Sequence, residues 1–246
     1  MITRHHVTLA LICALILCSS GLFSDPFTMA LVIAGTCFGA VLPDIQMTKP
    51  RRLTFRTPAW YVVQFSRRIC APLICRLYRE VLPGEFQVND KRLTHSLPGL
   101  AVISAILAAM LYVPVTVSGA AFLFPATTVF LGGVILGMGL HLVEDLCTRK
   151  GIWPFFPFIP VTLAGSIRPC DRTDPRIAQY HIQHAMLLLV IAGLGSRAFL
   201  PRGLFLPLGI IGTAACLGMM VGLSDVSVDP ETAGTIGTLA PVLVTH

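Results

Sequence analysis

The sequence predicts an all-α integral membrane protein, a polytopic helix bundle with four to six transmembrane helices. Of its 246 residues, 54% are hydrophobic and only 12% are charged, and the mean hydropathy is +0.78. A soluble domain has about a quarter of its residues charged, so these long apolar runs cannot form a water-facing surface. We therefore expect one membrane-embedded domain over residues 1–223.

The positive charge lies in two polar loops, residues 46–94 and 144–181. The net charge is +6, and the basic residues flank apolar runs, where retention of Lys and Arg on the cytoplasmic side explains them. We therefore expect no nucleic-acid partner. Both loops and both termini are predicted to be cytoplasmic, in a protein of the cell's inner membrane.

The first two spanning segments are predicted at residues 7–23 and 27–42, because a helix crosses the membrane with about 17 to 25 apolar residues. Ser24, Asp25 and Pro26 form the turn between them. The first segment imitates a secretory signal, with Arg4 ahead of its apolar run. We expect it to stay uncleaved, since a polytopic chain needs no separate signal.

The remaining spans are predicted at residues 97–117, 120–141, 184–198 and 203–223. The second of these carries small residues suited to close helix packing, namely Gly132, Gly133, Gly137 and Gly139. Residues 224–246, rich in Gly, Thr, Asp and Val, are predicted to be a disordered tail.

Two further segments are expected at the membrane interface. Residues 60–82 mix aromatic and aliphatic residues with paired arginines, a pattern typical of an amphipathic helix on anionic lipid. An ordinary basic connecting helix would have the same composition, so both interpretations stay open. The run from Trp153 to Phe158 contains too many prolines to span the membrane.

Four stretches carry candidate metal ligands where an apolar segment meets the same aqueous side. They are Arg4-His5-His6, Leu42-Pro43-Asp44, Thr94-His95-Ser96 and His141 through Asp145. Imidazole and carboxylate are ligands of Zn and Mn, and ionisable groups inside a membrane are costly and tend to be functional. The topology therefore predicts a metal site at the cytoplasmic face, built from His5 or His6 together with Asp44, His95, His141 and Asp145.

Other polar residues nearby have less specific patterns. Glu144 lies about 100° away from Asp145 on a helix, so it supports the site or is a solvated residue, and we favour solvation. His181 and His184 share a helical face and are expected to be interfacial histidines. Lys91 and Arg92 are candidates to bind an anionic substrate, or are positive-inside anchors.

Other common catalytic or metal-binding motifs are missing from the sequence. No C-x-x-C pair supports a thiolate zinc site. Without G-x-S-x-G, P-loop or H-E-x-x-H motifs, serine hydrolases, nucleotide triphosphatases and ordinary zincins lack support.

The motifs Leu-Pro-Asp-Ile from Leu42, Thr-His-Ser from Thr94 and His-x-x-x-Asp from His141 resemble those of the YdjM-type family of membrane-bound metal-dependent hydrolases. The resemblance extends from His5 or His6 to about Pro157. It implies a helical membrane hydrolase with a His/Asp site, in which the family's early histidine maps to His6, or less closely to His5.

The chain departs from the family pattern at two places. Gln46 and Met47 stand where the family commonly has an acid and a histidine, and Asp90, Lys91 and Arg92 stand in place of His-Arg-Gly. The absent second acid puts a second metal, or full activity, in question.

These residues and the activity that the resemblance implies together lead us to expect a metal-dependent hydrolase with one divalent ion, Zn or Mn. Asp44 or Asp145 would be a general base if it is not a ligand, and Lys91 or Arg92 would stabilise negative charge. Membrane lipids are expected partners, and the substrate would be lipid-borne or a phosphoester. The alternatives are an ion or proton carrier and a non-catalytic scaffold with the same His/Asp cluster.

Overall fold

The computed structural model describes residues 3–46, 58–81, 90–159, 161–171, 173–196 and 201–228, and within them the protein is a helix bundle. Its α-helices are α1 (Thr3–Ser19), α2 (Pro26–Gly39), α3 (Pro58–Val81), α4 (Leu97–Val117), α5 (Phe124–Leu146), α6 (Arg176–Ser196) and α7 (Phe205–Gly222). Five segments are long and apolar enough to cross a membrane, namely α4 to α7 and α2 with the turn after it. The predicted all-α membrane bundle is confirmed. The apolar helix α1 is shorter, at 17 residues.

Short elements connect the helices. Two 3-10 helices, Leu42–Gln46 and Lys91–Leu93, precede α3 and α4, and two more, Ala121–Leu123 and Arg202–Leu204, precede α5 and α7. The strands β1 (Leu163–Ala164) and β2 (Ser227–Val228) form a small antiparallel pair.

The helix ends differ from the predictions where hydropathy and hydrogen bonding disagree. Helix α4 has the predicted bounds, because the Ser96 side chain accepts a hydrogen bond from the Gly99 amide and caps it. Helix α5 runs past the predicted end at His141 to Leu146, where Cys147 caps it. A hydropathy window stops at the first polar residues, whereas these polar residues are buried and the helix continues through them.

The predicted disordered tail begins too early. Ser224 is buried, its carbonyl accepts a 2.7 Å bond from the Ser166 amide, and its hydroxyl donates to the Met220 carbonyl. These bonds order residues up to β2, so the prediction is wrong for residues 224–228. Residues 229–246 lie outside the described part of the chain.

Helix α3 is amphipathic. Cys70, Ile74 and Tyr78 are buried in a core cluster, and the exposed Leu73 and Leu77 border that face. Arg76 and Glu80 lie on the opposite side and are exposed. Its contact with lipid stays a prediction.

Helices α2 and α5 pack with their backbones in contact. A Cβ atom on Gly137 would overlap the carbonyl oxygen of Thr36, and one on Gly39 would overlap the carbonyl oxygen of Val134. Of the four glycines predicted to form a packing face, Gly133 and Gly137 do so, since they are one turn apart. A Cβ atom on Gly132 or Gly139 would meet nothing within 4 Å.

We expect Gly137→Ala to destabilise the bundle, because its methyl group would push α5 away from α2. Overpacking of this kind costs about 1–3 kcal/mol. Gly139→Ala makes the same change on the same helix in open space and is the control. Thermal unfolding in detergent measures both variants, and equal midpoints would contradict the expectation.

Candidate metal centre

The Leu-Pro-Asp motif forms the turn after α2. Leu42 is buried in the core cluster, and the Asp44 amide donates to the Val41 carbonyl at 3.2 Å, within the 3-10 helix. This turn lies at the end of the bundle. The Asp44 side chain is 7% exposed and lies inside the bundle.

Each residue of the Thr-His-Ser motif makes a different contact. The Thr94 hydroxyl donates to the Pro43 carbonyl at 2.9 Å and so joins this turn to the Leu-Pro-Asp turn. Ser96 caps α4. His95, between them, is buried, and its ring lies against both carboxylates of the predicted site.

The last two turns of α5 supply His141 and Asp145. Both are buried, and the i, i+4 spacing places their side chains on one face. Thr148 donates its amide at 3.0 Å and its hydroxyl at 2.7 Å to the Asp145 carbonyl. These bonds hold the backbone of Asp145 at the helix end.

Four side chains meet in one group: Asp44, His95, His141 and Asp145, each with a ligand atom within 4.8 Å of the others. The two histidine Nε2 atoms are 3.3 Å apart. Asp145 Oδ2 lies 3.4 Å from His95 Nε2 and 3.7 Å from His141 Nε2, and Asp44 Oδ1 lies 3.5 and 3.8 Å from the same atoms.

The backbone fixes which histidine nitrogen carries the proton. His141 Nδ1 is 2.7 Å from the Ala40 carbonyl, and His95 Nδ1 is 3.1 Å from the Lys91 carbonyl. A carbonyl oxygen can only accept, so each Nδ1 is the N–H donor and each Nε2 has a lone pair. Burial lowers the pKa of His95, against the opposing effect of Asp44 and Asp145, which favours the neutral ring.

This arrangement fits a metal ion. Two neutral Nε2 atoms face each other, and neither Asp44 oxygen accepts a hydrogen bond from the described residues. Converging lone pairs with no proton between them repel one another, and a cation removes the repulsion. Two ligands at about 2.1 Å from zinc and at the tetrahedral angle lie about 3.4 Å apart, close to the separations observed here.

The structure places His6, the fifth predicted ligand, beside the group of four and outside it. Its ring stacks on His141 with the centroids 3.8 Å apart. Its Nε2 is 3.5 Å from Asp145 Oδ1. The less favoured His5 lies against His181 instead, with ring centroids 5.7 Å apart.

The expectation that Glu144 is solvated is wrong. Its side chain is 1% exposed, and Oε2 lies 2.5 Å from His6 Nδ1. The angular offset from Asp145 turns Glu144 towards α1, which packs on this side of α5. Only the position of α1 reveals this contact, because the local sequence fits a solvated residue equally well.

The two candidate cations have different partners. Lys91 Nζ is 2.8 Å from Asp145 Oδ2, and the lysine side chain is 32% exposed. Lys91 therefore contacts the group of four and is also accessible from outside the bundle. Arg92 pairs with Asp90 at 2.7 Å and lies over the Phe156 ring.

The remaining histidine prediction concerns α6. His184 is buried and its Nδ1 donates to the Tyr180 carbonyl at 2.8 Å, whereas His181 is half-buried. Neither belongs to the group of four.

We expect Thr94→Val to lower stability by about 1–3 kcal/mol, because the buried Pro43 carbonyl loses the hydroxyl that joins the two turns. Thr127→Val is the control, since that hydroxyl bonds one helical turn back along the chain, to the Leu123 carbonyl. Thermal unfolding in detergent compares the two variants. Equal losses would show that the bond between the turns contributes nothing of its own.

Comparison with known proteins agrees with this fold. The family model described as YdjM inner membrane protein matches residues 1–223. No curated protein and no solved structure matches the chain. The match covers all of the helices and all of the residues of the candidate centre, and the chain therefore belongs to the YdjM inner membrane protein family.

Proposed function

We propose that the protein is a membrane-bound, metal-dependent hydrolase whose centre holds one divalent ion, Zn or Mn. The observation that carries the proposal is the group of two lone-paired histidine nitrogens and two carboxylates at the end of the bundle. Asp44, His95, His141 and Asp145 would hold the ion. A bound ion of this kind supplies a Lewis acid that activates water and polarises the bond to be cleaved.

The protein's own groups have separate roles in this proposal. The carbonyls of Ala40 and Lys91 hold the two imidazoles in the required tautomer. If one of the two carboxylates acts as a general base instead of a ligand, Asp44 is the better candidate, because it accepts no hydrogen bond from the described residues. Asp145 is already in contact with Lys91.

Lys91 is the group that we propose for the substrate. It contacts the centre and is part-exposed, so its ammonium group can meet a negatively charged substrate and stabilise charge that develops during cleavage. The positive charge and the position at a membrane boundary support a lipid-borne or phosphoester substrate. The basic loops support a cytoplasmic orientation of this end.

We expect the purified wild-type chain to retain about one divalent ion and His141→Ala to lose it, because His141 contributes one of four ligand atoms. Elemental analysis measures the ion, and a panel of phosphoesters measures turnover. His181→Ala, at a half-buried histidine outside the group, is the control. A wild-type chain without metal would contradict the proposal. The remaining interpretation would then be a non-catalytic membrane scaffold. Bound metal without turnover, but with ion flux in proteoliposomes, would indicate a carrier.

We expect Lys91→Gln to retain the metal and to lower turnover of an anionic substrate by about 10²–10³-fold, the usual effect of removing one charge-stabilising donor. Arg92→Gln is the matched control, because Arg92 is engaged by Asp90. Steady-state kinetics on the most active phosphoester measures both. If the Arg92 variant lost more activity than the Lys91 variant, the proposed role of Lys91 would be wrong.

A further inference from the structure

We propose that His6 and Glu144 form a buried pair that positions Asp145, and that the pair sets the affinity of the centre for its metal. The inference rests on the proposed metal site. It goes beyond that site because it gives a function to a carboxylate outside the group of four.

His6 lies between two carboxylates. Its Nδ1 is 2.5 Å from Glu144 Oε2, and its Nε2 is 3.5 Å from Asp145 Oδ1. The other oxygen of Asp145, Oδ2, faces His95 and His141. The imidazole therefore lies against Oδ1 of Asp145, while Oδ2 faces the centre and Lys91.

The ring of His6 is itself held in place. It is buried and stacked on His141, with an angle of 18° between the ring planes. A rotation of His6 would break the stack and withdraw its Nε2 from Asp145. Glu144 contacts the opposite nitrogen, Nδ1. The Glu144 carboxylate and the stacking on His141 together favour a single orientation of the His6 ring.

The burial of the Glu144 carboxylate costs free energy, so its presence at this position needs an explanation. This carboxylate is 1% exposed and faces His6, inside a candidate membrane span. Burying a carboxylate costs several kcal/mol, and an apolar side chain would pack there without that cost. Packing alone therefore does not account for an acid at this position, whereas a contact through His6 to a metal ligand does.

Residues that contact a metal ligand hold that ligand in the orientation needed for binding, and their removal typically weakens metal binding by about 10–100-fold. We expect that loss for Glu144→Ala. Glu144→Gln keeps an oxygen of similar position and should lose less.

The test is a double-mutant cycle on the full chain in detergent. Calorimetric titration with Zn²⁺ and with Mn²⁺ gives the dissociation constant of the wild type, Glu144→Ala, His6→Ala and the double variant. If Glu144 acts through His6, the double variant binds metal no more weakly than His6→Ala. Glu80→Ala is the control, since Glu80 is an exposed carboxylate in an ion pair with Arg76.

Thermal unfolding of the metal-free variants separates positioning from folding. Lower stability with unchanged metal affinity would overturn the proposal, and so would additive losses of affinity. Where Glu144→Ala does not fold, Glu144→Gln takes its place in the cycle with the same expected non-additivity. A wild-type chain that binds neither ion would overturn the proposed function and this inference together, whereas a binding wild type with unaffected Glu144 variants overturns this inference alone.

Discussion

The geometry of the centre depends on the direct backbone contact between α2 and α5. Glycines at the crossing allow the carbonyl of Thr36 to approach Gly137, and one turn further along, the carbonyl of Ala40 reaches His141 Nδ1 at 2.7 Å. Larger residues would separate the helices and leave that nitrogen without an acceptor. The packing of apolar helices and the tautomer of a candidate ligand are thus set by the same contact.

A second constraint comes from the two short turns that end at Asp44 and precede His95. Each turn buries one leucine, Leu42 or Leu93, in the same core cluster, and the Thr94 hydroxyl joins the turns. The leucines supply apolar burial and the threonine fixes the relative position of the two turns. The carboxylate and the imidazole therefore converge although 50 residues separate them in sequence.

Much of this could be predicted from the sequence, because its signals are local. Apolar runs bounded by polar residues locate spans such as α4, and the coincidence of His and Asp at one end of several spans locates Asp44, His95, His141 and Asp145. The end of α5 and the burial of Glu144 could not be predicted in this way. Both depend on which helix covers the last turns of α5, and hydropathy contains no information about that neighbour. The same limit applies to His6: its position at the start of α1 is local information, whereas its stacking on His141 and its contact with Glu144 are not.

The part-exposed Lys91 connects the electrostatics of the centre to its chemistry. The group of four contains two carboxylates, and an excess of negative charge in a low-dielectric bundle is unfavourable without compensation. Lys91 compensates Asp145 at 2.8 Å through Oδ2, the oxygen that also faces the two histidines. Within the group of four, Asp44 is then the carboxylate that accepts no hydrogen bond from the described residues. A divalent ion at the centre would balance the negative charge of the two carboxylates by itself. It would thereby weaken the ion pair between Asp145 and Lys91. In the proposed hydrolase, the ammonium group would then be available to an anionic substrate.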